Sequence, residues 1–306
     1  MIRGILGKSA LAAMVVSAWV SVPPSSAGAQ DRLDTSTVQA SAALPITRAF
    51  KVSPLGDLST PTRSKEHPLT PALRLAIQRL EYIRANVDDY SCLLVKRERI
   101  NGKLRDYEFA TVKCRHNRPA PGGASPFSVY MKFHKPADLK GREVLYVAGQ
   151  NDDDMLVRKG GRRRAFLSAW IDPGGSLALE DNRYPITDLG IEKLVERLIE
   201  VAQHDMKFDE CDVRIVPHAK LDGRSCTAIE VTHPHPRDHF QFHVARVMID
   251  DEMQLPVHYS AYTWPESPGG EPQLIEDYTY RNIKINVGFT DDDFHRNHPD
   301  YAFRKI

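Results

Sequence analysis

Four histidines fall in the run His233-Pro-His235-Pro-Arg-Asp-His239-Phe-Gln-Phe-His243. That density raises the question of a metal, zinc first, because imidazole is one of its usual ligands. Spacing answers most of it. Read as a strand, the second half puts His239 and His243 on one face but about 13 Å apart, too far to share an ion whose bonds are about 2 Å long. Only His233, His235 and His239, around the turn, could converge. The stretch reads as a proline-stiffened, surface-exposed hairpin tip, and no metal site is expected.

Nucleophilic chemistry fares no better. No serine sits in a Gly-x-Ser-x-Gly elbow, and Gly174-Gly175-Ser176 follows Asp172-Pro173 as an ordinary turn. Cys226 lies mid-strand near Arg224, and a thiol nucleophile needs an imidazole within reach. His233 and His235 are too far along the same strand to supply it. Glu98, between Arg97 and Arg99, reads as a paired structural carboxylate. Asp152-Asp153-Asp154 lacks the spaced oxygens and the glycine of a calcium loop. Arg162-Arg163-Arg164 has the chemistry to hold an anionic headgroup, but such runs are usually solvated loop edges. Neither a glycine-rich dinucleotide fingerprint nor a phosphate loop ending in Gly-Lys is present. The sequence implies no catalytic residue and no cofactor.

The chain has 306 residues and a formal net charge of +1. That balance gives no drive toward nucleic acid or anionic membranes. Arg3 and Lys8, the apolar run from Leu11 to Val22, and Ala27-Gly28-Ala29 have the layout of a signal peptide over residues 1–29. Residues 30–69 are rich in Pro, Ser, Thr and Ala without periodicity and read as a disordered linker. Residues 70–306 are expected to form one domain, exported to the periplasm or cell envelope, with no transmembrane segment after signal cleavage. Cys92, Cys114, Cys211 and Cys226 in an exported chain are disulfide candidates, with all three connectivities open.

The elements that would position any site come from periodicity. Thr70-Pro71 opens a helix with Leu73, Ala76, Ile77, Leu80, Ile83 and Val87 on one stripe. A second helix follows Tyr184-Pro185-Ile186-Thr187, with Ile191, Leu194, Val195, Leu198 and Val201 as its apolar stripe. Asn101-Gly102 between two β-prone runs is a strong hairpin signal; a two-residue turn there puts Ile100 opposite Lys103 and Cys92 opposite Thr111. Phe127, Val129, Met131 and Phe133 alternate with Ser128, Tyr130 and Lys132, a strand with one dry and one wet face. Thr290-Asp-Asp-Asp293 looks like a capping box, with Phe294, Tyr301 and Phe303 pinning the tail to the body. The expected fold is α+β: a curved, mostly antiparallel sheet of about ten strands, an incomplete β-barrel, covered by two or three helices.

Two resemblances add to this. Tyr90, Glu98 and Gly102, Gly141-Arg142-Glu143-Val144, Tyr184-Pro-Ile-Thr187, Asp222-Gly-Arg224, Glu276-Asp-Tyr278-Thr-Tyr280 and Asn286-Val-Gly288 resemble an exported bacterial family known only as a domain of unknown function. Phe133, Pro136, Lys140-Gly141, Met155 to Val157 and the Arg162 cluster are similar to bacterial outer-membrane lipoprotein-sorting and carrier proteins, the LolA/LolB-like half-barrels. That second likeness implies a helix-covered half-barrel whose hollow side takes acyl chains. The expectation is a non-enzymatic envelope protein that binds a lipid, acyl chain or lipoprotein, with Phe127, Val129, Met131, Phe133, Phe240, Phe242 and Val244 as cavity lining. The alternatives are an interaction module for another envelope protein and, third, a metal or thiol enzyme.

Overall fold

The Asn101-Gly102 turn lies where the sequence puts it. In the computed structural model these residues have φ of 50° and 76°, and Ile100 pairs with Lys103. Beyond the turn the register slips by one, because the residues after Leu104 form a bulge before pairing resumes. Cys92 therefore faces Val112, not Thr111. The chain divides into two units, Met1–Pro61 and Thr62–Ile306. The structure describes residues 66–120, 123–161 and 167–303. The signal peptide, the linker up to residue 65 and Arg162-Arg163-Arg164 lie outside the described residues. Leu69 and His67, at the linker's end, pack on the domain: Leu69 is buried and His67 Nε2 lies 2.9 Å from the Phe208 carbonyl.

In chain order the elements are α1 (Thr70–Asn86), β1 (Asp89–Ile100), β2 (Lys103–Leu104), β3 (Glu108–Arg115), β4 (Arg118–Ala120), β5 (Gly123–Ser125), β6 (Ser128–Lys135), β7 (Glu143–Val147), β8 (Met155–Arg158), β9 (Ser168–Ile171), α2 (Ser176–Leu179), α3 (Ile191–Asp205), β10 (Asp212–Leu221), β11 (Arg224–Thr232), β12 (Val244–Asp250), β13 (Pro256–Thr263) and β14 (Gln273–Ile285). Twelve strands form one sheet in the order β10-β11-β12-β13-β14-β1-β3-β6-β7-β8-β9, with β2 on β1; β4 and β5 form a separate hairpin. Every pairing is antiparallel. The end strands β10 and β9 do not meet, so the sheet does not close into a barrel. The fold is α+β, as expected.

Alternation along β1, β3 and β6 sends Tyr90, Cys92, Leu94, Ala110, Val112, Cys114, Val129, Met131 and Phe133 to one face. There Ile83 and Val87 from α1 and Ile191 and Val195 from α3 pack on them. Arg84 joins the two helices, its guanidinium 2.6 Å from Glu196 and 3.3 Å from Glu192. The start of α3 is fixed by Tyr90, whose hydroxyl accepts the Ile191 N–H at 3.2 Å. Gly190, at φ 124°, lets the chain pass; a Cβ there would stand 3.3 Å from that hydroxyl.

The other face is not wet, which corrects the one-dry-face reading. Ser128 and Tyr130 are 0% and 4% exposed. Tyr130 stacks on Tyr301 at 3.7 Å and packs with Leu145, Val147, Leu156 and Phe294 under the C-terminal tail. Ser128 accepts from Arg115 at 3.0 Å and donates to the Pro126 carbonyl at 2.9 Å. The capping box at Thr290 and Asp293 forms as read. Asp89 secures the tail's entry into this face, accepting from the N–H groups of Val287, Gly288 and Phe289 at 2.6, 3.0 and 2.9 Å.

The histidine run is also corrected. Strand β12 starts only at Val244, so residues 233–243 are a loop rather than a strand. His233 is fully buried, its ring stacked on Phe240 at 3.8 Å and its Nε2 3.3 Å from Asp205. His239 stacks on Phe208 at 3.7 Å. His233 and His239 thus belong to the packing around the end of α3, while residues 234–238 between them are exposed, as the tip reading has them. Among the described residues no group of three His, Cys, Asp or Glu side chains is placed to hold a metal.

Candidate ligand-binding cavity

The helix face is packed where Ile83 and Val87 of α1 and Ile191 and Val195 of α3 meet β1, β3 and β6. Between α3, the segment ahead of it and the sheet lies a cavity of about 730 Å³, within the range of ~300–1,000 Å³ typical of small-molecule sites. One wall is the sheet: Leu94 on β1, Met131 and Phe133 on β6, Val144 on β7, Met155 and Val157 on β8. Small residues, Ala245 on β12 and Ala261 on β13, keep the far side open. The opposite wall is Leu194, Leu198 and Val201 of α3 together with Ala178, Tyr184 and Ile186 from the segment before it. The stripe read from the sequence as a helix–sheet contact does both: Ile191 and Val195 are buried in the core, while Leu194 and Val201 pack against core residues on one side and, with Leu198, line the cavity on the other.

One end of the cavity is polar. Lys96 and Glu98 point to the helix face from β1, and Tyr278 and Glu276 stand opposite them on β14. Lys96 Nζ lies 3.2 Å from Glu98, 3.4 Å from Glu108 and 2.9 Å from the Asn182 side-chain oxygen. Tyr278 donates its hydroxyl to Glu98. Glu276 accepts from Arg183 at 3.0 Å, Tyr184 at 3.2 Å and Tyr259 at 3.1 Å. Residues 182–184, just ahead of α3, are thus tied to the sheet by side-chain bonds.

Burial sets the ionisation of this cluster. It raises the carboxyl of Glu276 above the usual range, against the pull of Arg183 and two tyrosines. Glu108 is raised for the same reason, despite Lys96. Burial alone would lower Lys96, but the charges of Glu98 and Glu108 outweigh it and hold the ammonium above its ordinary value. Burial also pushes the Tyr184 hydroxyl up to about 12. The result is a mutually satisfied network that keeps its donors and acceptors occupied.

Of the residues expected to line a site, Met131, Phe133 and Phe242 border the cavity. Val129 lies in the close-packed core with Phe127 against it. Phe240 packs against His233 and Phe208. Val244, at the start of β12, is buried outside the lining. Sequence reasoning missed the charged end. Glu98 was read only as a structural carboxylate, and Lys96, Arg183 and Glu276 carry no motif. The available signal was Glu276-Asp-Tyr278-Thr-Tyr280, an acid and two tyrosines on one strand face.

The four cysteines are buried and unbridged. Burial, helped by Asp250 and Asp251, pushes the Cys226 thiol up to about 11, so it is not a thiolate at neutral pH.

A model of the family described as protein of unknown function (DUF1571) matches residues 87–303. Similar solved structures include a DUF1329 family protein from Desulfovibrio piger ATCC 29098, with 19% identity over 76% of this chain and 99% of that one and a TM-score of 0.35. A LolA superfamily protein from Nitrosomonas europaea has 10% identity over 74% and 98%, with a TM-score of 0.31. The lipoprotein LppX from Mycobacterium tuberculosis has 16% identity over 72% and 98%, with a TM-score of 0.39. No curated protein matches the sequence.

Proposed function

The chain belongs to the DUF1571 family, and we propose that it is a non-enzymatic cell-envelope protein that takes a lipid, an acyl chain or the acyl part of a lipoprotein into the cavity between sheet and α3. The observation that carries this reading is the cavity itself: about 730 Å³, walled by Leu94, Met131, Phe133, Val144, Leu194 and Leu198. A sheet face left uncovered by its helix would ordinarily be filled by side chains. Here small residues leave room for a flexible apolar guest between the sheet and α3. The acids and hydroxyls at the polar end bond one another, so this reading assigns them no chemical step. Export rests on residues 1–29, and delivery to the envelope would place the cavity where acyl chains are exchanged.

A second reading has one observation in its favour. Leu167 and Leu177 border the cavity yet are 47% and 66% exposed, so the rim offers apolar surface to another envelope protein. Native mass spectrometry of the protein purified from its own envelope separates the two. A co-purified lipid supports the carrier. A stoichiometric protein partner with an empty cavity supports the docking module and counts against the carrier.

A further inference from the structure

Four of the six cations on the cavity wall are paired. Lys96 pairs with Glu98, Arg183 with Glu276, Lys193 with Glu196 and Arg197 with Glu200. Arg142 is different. It borders the cavity, it makes no ion pair among the described residues, and its Nε is buried without a hydrogen-bond partner. Glu108 lies near enough for Arg142 to stabilise its charge, but the Glu108 carboxylate is bonded to Lys96. Lys159, the next cation along this edge of the lining, also has no ion pair among the described residues.

The backbone holds Arg142 firmly. Its carbonyl accepts from Phe133 N–H at 2.9 Å and its N–H donates to Leu139 at 2.8 Å. Gly141 N–H donates to Phe133 at 2.8 Å, Gly161 N–H to Lys140 at 2.9 Å, and Arg158 caps the Gly141 carbonyl. The turn packs so tightly on Gly160 that a Cβ there would fall 2.5 Å from the Arg142 nitrogen and 2.3 Å from the Leu139 oxygen. Register alternation places Arg142 on the same side as Val144, opposite Glu143, whose carboxylate is buried under the tail. A guanidinium on a firmly held backbone at the edge of an apolar cavity, with a buried donor unmet, fits one kind of guest. Guanidinium forks bind carboxylate and phosphate oxygens bidentately, and leaving a buried donor unpaired is costly.

We propose that Arg142, with Lys159 beside it, anchors the anionic head of an amphiphile whose apolar chain lies along Phe133, Val144, Met155 and Val157. The proposal rests on the carrier reading above and narrows its ligand to a carboxylate- or phosphate-headed chain. The test is calorimetric titration of the wild-type protein with dodecanoate, dodecyl phosphate and dodecanol, which share one chain length. At least one anion is expected to bind about ten-fold tighter than the alcohol, the scale of one charge-assisted hydrogen bond. Which anion leads tells a carboxylate source from a phosphate source. Arg142→Gln is expected to erase that advantage and leave dodecanol binding unchanged. If that variant does not fold, Arg142→Lys keeps the charge but loses the fork, and is expected to weaken the favoured anion several-fold. Dodecanol binding as tightly as both anions, or anion affinity unchanged in the variant that folds, overturns the anchor and leaves the carrier reading standing. Failure of all three ligands to bind overturns both.

Discussion

Glu98 on β1 and Glu276 on β14 are direct register partners across the middle of the sheet, and both carboxylates are buried at the polar end of the cavity. Like charges placed opposite each other on a sheet repel. Each acid is accommodated by its own cation, Lys96 for Glu98 and Arg183 for Glu276, with tyrosine hydroxyls filling the remaining acceptor sites. Because Asn182, Arg183 and Tyr184 belong to the segment leading into α3, this arrangement fixes one wall of the cavity to the other.

The first prediction concerns pH. Burial raises Glu276, Glu108 and Asp277. A carboxyl raised in the folded chain binds its proton more tightly there than when unfolded. Its stabilisation is complete below the unfolded values of 4.5 for Glu and 3.8 for Asp and is lost as pH rises through the folded values. Asp250 runs the other way: its bonds to Arg224 hold it below the usual range, and that stability is lost only when pH falls below about 4. His116, His134 and His258, which burial holds below 6.5, oppose these acids as pH falls. The contribution of Glu276 is therefore read as a difference: the melting temperature of wild type relative to Glu276→Gln is expected to rise as pH drops toward 4.5. Melts with the same slope in both proteins would contradict the assignment.

Packed and hollow parts of one face should respond differently to truncation. Ile83 is fully buried where α1 meets the sheet, whereas Met131 borders the cavity. Ile83→Ala is expected to cost about 2–5 kcal/mol, while Met131→Ala should fall at or below the low end of that range because the cavity, not close-packed neighbours, bounds part of its side chain. Only the Met131 change should alter binding of an acyl ligand. Denaturant unfolding with a fluorescent fatty-acid analogue present and absent checks both; equal stability losses with unchanged binding would place Met131 in the core instead.

Much of this was legible in the sequence, and what was not has particular reasons. Alternation and turn chemistry found the Asn101-Gly102 hairpin, the helix stripes and the capping box at Thr290. The bulge after Leu104 was hidden because its residues are polar and no side-chain period marks it. Tyr130 looked wet because its cover, Tyr301, comes from far along the chain, and periodicity reports which residues share a face but not what later buries it. His233 sits in a run that reads as exposed, and its burial depends on Asp205 and Phe240, a tertiary match. The cavity was only half readable. Met131 and Phe133 follow from the dry face, but the hollow depends on where α3 and the segment ahead of it lie over the sheet. The pairing of Lys96, Glu98, Arg183 and Glu276 depends on strand register across distant segments.

Asp89 gives a sharper test of the tail. Three consecutive N–H groups converge on its buried carboxylate. Asp89→Ala removes all three acceptor contacts and is expected to cost about 1.5–3 kcal/mol, the scale of hydrogen bonding to a charged group. Faster amide exchange at residues 287–289 should accompany the loss. A stability change under about 0.5 kcal/mol, the scale of an ordinary surface substitution, would count against the role.

Export is checked at the amino terminus. Cleavage after Ala29 is expected, so mature protein recovered from the cell envelope should begin at Gln30. Envelope material that still begins at Met1 would contradict it.

The central claim is that the space between the sheet and α3 holds an acyl chain. Its most direct test fills that space. Val201 and Leu198 face the cavity from α3, and Val201→Trp or Leu198→Trp would occupy it while leaving the Ile83–Ile191 core untouched. Titration with a fluorescent long-chain fatty-acid analogue should give one saturable site per wild-type chain and about a ten-fold or greater loss in either variant, with melting temperatures close to wild type. Folded variants that bind the analogue as tightly as wild type, or a wild-type protein that binds none, would contradict the account.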